Sequence, residues 1–139
     1  MTIKTKFTAI LIVLIAFLSS CQKDDYMNSF TQDYTVYKKD WKVGTDDDSG
    51  DYFYYEFKEP NLTQDVYRNG SMQAFLLMNG DNITPLPFDD FWILDNGQMR
   101  TEQVTCEFRP GYVTFILKYN THELDDPYYD YTFRVRFLW

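Results

Sequence analysis

From about residue 34 onward the chain falls into short runs in which apolar and polar residues alternate, broken by turn formers roughly every ten residues, the pattern of an all-β domain. In Tyr52 to Phe57, the residues Phe53, Tyr55 and Phe57 fall on one side and Tyr52, Tyr54 and Glu56 on the other. The first set is expected in the core, because successive strand residues point to opposite faces. Asp40-Trp41-Lys42-Val43 ends an earlier strand, and Thr45 to Asp51 reads as a loop of acids and turn formers. Leu62 to Asn69 reads as one or two helical turns, with Asn61 as cap and Gly70 as stop.

Ser71 to Met78 is a strand and Asn79-Gly80-Asp81 a turn. Pro85 and Pro87 cannot donate to a ladder, so Ile83 to Leu94 begins as an edge or crossing segment, and only Phe88 to Leu94 can pair fully. Val104, Cys106 and Phe108 share a face; Arg109-Pro110-Gly111 turns the chain back into Tyr112 to Tyr119, with Val113, Phe115 and Leu117 inward. The last strand, Tyr128 to Leu138, sets Tyr131, Phe133, Val135 and Phe137 against Thr132, Arg134 and Arg136. About seven strands over residues 34–139 predict an immunoglobulin-like antiparallel β-sandwich with one short helical turn. The prolines and short strands argue against a membrane-spanning barrel, although the chain ends on Phe137-Leu138-Trp139.

The first twenty residues have a different character. Lys4 and Lys6 precede an apolar run from Phe7 to Leu18, which meets Ser19, Ser20 and Cys21. A positive start, a short apolar core and small residues before a cut describe a secretory signal peptide over residues 1–20. Its apolar run, at 1.5 Å per residue, reaches only about 20 Å, short of the ~30 Å hydrocarbon core of a bilayer. Leu18-Ser19-Ser20-Cys21 resembles a bacterial lipobox, which implies cleavage before Cys21 and acylation of that cysteine. Two or more acyl chains hold a protein firmly at a membrane. Gln22 to about Gln32 is polar and without apolar period, so residues 21–33 read as the lipidated cysteine and an acidic tether. Lys23-Asp24-Asp25 resembles the surface-export tag of Bacteroidetes lipoproteins, which implies an outer-membrane protein facing the cell exterior; a solvated tether on the periplasmic face is the alternative.

Composition narrows the function. Of the 13 lysines and arginines two lie in the leader, whereas all 21 acids lie beyond it, giving a formal charge of −10 after cleavage. Such a chain lacks the basic face that nucleic acid requires. Two cysteines and one histidine exclude a disulfide scaffold and the common zinc sites, and no cofactor motif is present. His122 lies in a loop while Cys106 lies on an apolar strand face, so they form no nucleophile and base pair. Asp89-Asp90 and Asp125-Asp126 read as solvated pairs, and the domain is expected to be non-catalytic. Within Asp46-Asp47-Asp48-Ser49-Gly50-Asp51, the carboxylates Asp46, Asp48 and Asp51 are candidate calcium ligands, although the spacing is not that of an EF-hand.

The aromatics, 12 Tyr, 12 Phe and 3 Trp, are the most informative feature. Tyr52 and Tyr54 on the face opposite the core, and Tyr128 and Tyr129 beside a loop, are candidate binding residues, since flat rings stack on sugars and anchor protein interfaces. The lipobox, the acidic tag, Asp40-Trp41, the aromatic strand Tyr52 to Phe57, Leu62-Thr63-Gln64-Asp65-Val66, Asn69-Gly70 and Pro85-Leu86-Pro87 together resemble small Bacteroidetes lipoproteins with an immunoglobulin-like sandwich. The resemblance implies fold and location and leaves the ligand open. Two partners stay in view: a glycan met by exposed aromatics, or another envelope protein met by an open strand edge.

Overall fold

The computed structural model describes residues 28–47, 50–78, 82–120, 127 and 129–139. Two antiparallel sheets face each other across one core. The strands are β1 (Ser29–Val36), β2 (Lys42–Asp46), β3 (Gly50–Lys58), β4 (Ser71–Met78), β5 (Asn82–Pro85), β6 (Phe88–Ile93), β7 (Met99–Arg109), β8 (Tyr112–Tyr119) and β9 (Tyr131–Leu138), with one helix, α1 (Gln64–Asn69). One sheet has the order β1-β9-β4-β5 and the other β2-β3-β8-β7-β6. The all-β sandwich is therefore as expected, and the described strands number nine.

The inner faces follow the alternation. Phe53, Val104, Val113, Phe115 and Leu117 meet Tyr131, Phe133, Val135, Phe137, Ala74 and Leu76 across the gap. Phe115 and Phe133 stack with ring centroids 3.9 Å apart and planes 8° apart, tying the two sheets at their middle. The proline-bearing segment behaves as its chemistry requires. β5 is an edge strand of one sheet and β6 an edge strand of the other, and Leu86-Pro87 carries the chain between them.

Several local expectations change. β1 starts at Ser29, so residues 29–33, read as tether, belong to the fold: Ser29 pairs with Leu138, and Asp33 with Arg134. The missed signal is the pairing itself, since Phe30 is the one apolar residue between Ser29 and Asp33 and stacks on Phe137 of the neighbouring strand. Thr45 to Asp51 is less a loop than the tip of a hairpin, with Thr45 opposite Asp51 and Asp46 opposite Gly50. The helix cap is Thr63, whose hydroxyl accepts from the Val66 N–H at 3.3 Å, and not Asn61. Asn61 instead donates through its backbone and its side chain to Glu59, both at 3.0 Å. Gly70 does follow α1, but with φ of −90° its role is steric. A Cβ there would lie 2.5 Å from the Val66 carbonyl oxygen and 2.7 Å from that of Leu138.

The segment after β3 clasps one end of the sandwich. The Glu59 N–H donates to the Gly111 carbonyl, and the Gly111 N–H to the carbonyl of the fully buried Leu62. Glu59 is itself buried and accepts from the Tyr34 hydroxyl at 2.5 Å. With these donors its carboxylate is satisfied, which marks it as a structural group. The opposite end carries the cavity.

Candidate functional site

Between the ends of the two sheets lies a cavity of about 640 Å³. Its walls come from the last residues of β4 (Leu76 to Met78), the inward face of β6 (Phe88, Asp90, Trp92), Glu102 of β7, and the approach to β9 (Tyr129, Asp130, Tyr131). Period-two alternation places Phe88, Asp90 and Trp92 side by side, because Phe88 is opposite the buried Val104. The same period gives β7 an inward row of Arg100, Glu102, Val104, Cys106 and Phe108. Apolar walls with a few converging polar groups are the usual make-up of a ligand site.

The polar groups are held in defined positions. Glu102 is 6% exposed and accepts from the Tyr131 hydroxyl at 2.8 Å. Arg100 is fully buried, its guanidinium carbon 3.9 Å from the Tyr119 ring centroid and 5.7 Å from that of Trp92. Asp130 accepts from the Lys38 backbone N–H at 2.9 Å, and Asp90 from the Phe91 N–H at 2.8 Å. The Asp90 contact also occupies a backbone donor on an edge strand, where open donors invite unwanted pairing.

Burial pushes the Glu102 carboxyl above its ordinary range, against the Tyr131 and Tyr119 hydroxyls and the Arg100 charge that draw it down. Burial likewise raises Tyr119 and Tyr131, with the Glu102 charge adding to the effect. A carboxyl whose folded pKa exceeds its unfolded value binds more protons when folded, so stability falls as pH rises through that interval. For Glu102 the interval starts at the usual glutamate value of 4.5 and extends upward. Native protein is therefore expected to lose urea midpoint from pH 4.5 to 7 relative to Glu102→Gln, measured by tryptophan fluorescence at each pH. Parallel profiles for the two proteins would count against a strained carboxylate.

The residues singled out from sequence do not gather in one place. Tyr52 and Tyr54 are neighbours on the outer face of β3, ring centroids 6.0 Å apart and half-buried. Tyr52 lies over Gly44, where a Cβ would come within 2.6 Å of its ring, and the Lys118 ammonium sits 5.4 Å from its centroid. These rings cover their own sheet. Tyr129 is on the cavity rim; Tyr128 lies outside the described residues, as do Leu18, Ser19, Ser20, Cys21, Lys23, Asp24, Asp25, His122 and the Asp125-Asp126 pair.

Of the calcium candidates, Asp48 is outside the described residues, and the hairpin register points Asp46 and Asp51 to opposite faces. Asp46 pairs with Lys118 at 3.9 Å, whereas Asp51 accepts from the Thr45 hydroxyl at 2.7 Å. Those two carboxylates cannot share an ion. Among the described residues no cluster of three or more histidine, cysteine, aspartate or glutamate side chains has the geometry of a metal site. Cys106 is packed against the core, and burial raises its thiol far above the ordinary value, so it is not a ready nucleophile.

Sequence reading missed Arg100, Glu102, Trp92 and Asp130. The signal for the first two was in the text, since Arg100 and Glu102 continue the apolar row of Val104, Cys106 and Phe108. Charges on the inward side of a strand are costly unless they are paired or used. No protein family, no curated protein and no solved structure matches the chain.

Proposed function

We propose that this protein is a lipid-anchored binding domain of the outer cell surface, moored through Cys21, that takes a saccharide in the cavity between its sheets and performs no catalysis. The observation that carries this reading is the meeting of Phe88, Trp92, Tyr129 and Tyr131 with Asp90, Glu102 and Asp130 around one cavity. Aromatic faces stack on the C–H faces of sugar rings, and carboxylates accept from ring hydroxyls.

The placement of the cavity suits an anchored protein. Asn28 exchanges backbone hydrogen bonds with Trp139, at the end of β9 remote from Tyr131. Eight strand residues separate the two ends by about 25 Å. A tether joined ahead of Asn28 thus leaves the cavity on the side away from the membrane.

The test is a glycan array probed with the purified protein and with Trp92→Ala and Tyr129→Ala variants. Each ring removed is expected to weaken binding about tenfold, the worth of roughly 1.4 kcal/mol of stacking. Mass spectrometry of the mature protein should find Cys21 as an acylated N-terminus. A bare thiol, or a retained leader, would remove the anchor from the proposal.

One feature favours a second reading, an assembly module docked on another envelope protein. On the outward face of the edge strand β6, Phe91 is 66% and Ile93 73% exposed, and Met99 lies opposite Ile93. Ile93→Asp should then abolish crosslinking to a partner in intact envelopes while leaving sugar binding unchanged.

A further inference from the structure

We infer that the ligand of the cavity carries a protonated amine, making it an amino sugar or the non-acetylated glucosamine end of a saccharide. This rests on the saccharide reading above and adds the charge of the ligand to it. The cavity offers two complementary features to a cation. Its lining includes the rings of Phe88, Trp92, Tyr129 and Tyr131, and aromatic rings attract an ammonium group placed over their faces. Its carboxylates come from three separate elements: Asp90 from β6, Glu102 from β7, and Asp130 from the segment leading into β9.

The balance of donors and acceptors points the same way. Ionised carboxylates only accept, whereas an ammonium group brings three donors and no acceptor. The described lining includes no lysine, arginine, asparagine or glutamine side chain to donate to an acetamido carbonyl or to an anionic sugar. Arg100 lies against Trp92 and Tyr119, so one guanidinium accompanies the three carboxylates. The same Trp92 ring already takes part in a cation contact from within the protein. Each carboxylate is also oriented by a bond to one of its two oxygens: from the Phe91 N–H, the Tyr131 hydroxyl and the Lys38 N–H respectively.

The experiment compares two tetrasaccharides of β-1,4-linked glucosamine, one with free amines and one fully N-acetylated, by calorimetric titration of the intact protein at 0.15 M salt. The free-amine form is expected to bind at least tenfold more tightly, and Asp130→Asn to weaken it about tenfold. Asp130→Asn keeps the oxygen that accepts from Lys38. Asp65→Asn, the same change of charge on the exposed face of α1, is expected to leave binding unaltered. Equal or tighter binding of the acetylated form would overturn the amine inference and leave the saccharide reading standing. If neither form binds, the amine inference falls, and the glycan array alone decides the saccharide reading. Equal losses from Asp130→Asn and Asp65→Asn would mean adsorption to an acidic surface and would also overturn the inference.

Discussion

Phe133→Ala is expected to lower the stability of the domain by about 3–5 kcal/mol, as a large buried ring replaced by a methyl group does when its surroundings cannot collapse. Phe133 is fully buried on β9 and stacks on Phe115 of the opposite sheet. Its ring is also nearly parallel to that of Tyr131, 9° between planes and 6.2 Å between centroids. β9 is hydrogen-bonded to β1 on one side and β4 on the other, so its backbone cannot move in to fill the void. Phe133→Leu, which keeps most of the volume, should cost much less. Urea titration by circular dichroism measures both. A loss below about 1 kcal/mol for the alanine variant would show that the sheets do not depend on this stack.

The second large effect is expected at Arg100. Its side chain is fully buried on the inward face of β7, next to Glu102, whose ionised form its charge favours. Arg100→Ala opens a void against Tyr119 and leaves Glu102 facing Asp90 without that charge, so a loss of about 3–5 kcal/mol is expected. Arg100→Met fills the space but still leaves the carboxylate exposed to its acidic neighbour. Adding Glu102→Gln to Arg100→Met should recover much of the loss, because replacing both charges removes the burden of desolvating either. A double-mutant cycle from urea midpoints gives the coupling. Additive single losses would mean that the guanidinium supports its aromatic neighbours and not the carboxylate.

The inward sides of the strands were legible because period two is local: Phe53 and Val104, or Val113 and Phe115, declare their side within a few residues. The β7–β8 hairpin was legible for a related reason, since Pro110-Gly111 supplies a fixed φ and then the positive φ of 81° found at Gly111. β1 was hidden because Ser29 to Asp33 gains its order from β9, a hundred residues away, and not from its own alternation. The candidate site was mostly hidden as well. Tyr129 lines the cavity, whereas Tyr52 lies over Gly44 with the Lys118 ammonium near its ring, and Tyr54 is its neighbour on the outer face of β3. Trp92 and Glu102 lie on the adjacent strands β6 and β7, but Asp130 comes from the far end of the chain, and no spacing announces that it joins them.

The partnership of β1 with β9 also governs the order in which the protein can be assembled. The ladders β2–β3, β4–β5 and β6–β7–β8 join neighbours in sequence and can close early, whereas β1 and β4 both wait for the last strand to be synthesised. Until residues 131–138 are available, two strand edges and the apolar faces of Val36, Ala74 and Leu76 stand open. A nascent or truncated chain that lingers there is prone to aggregate through those open edges.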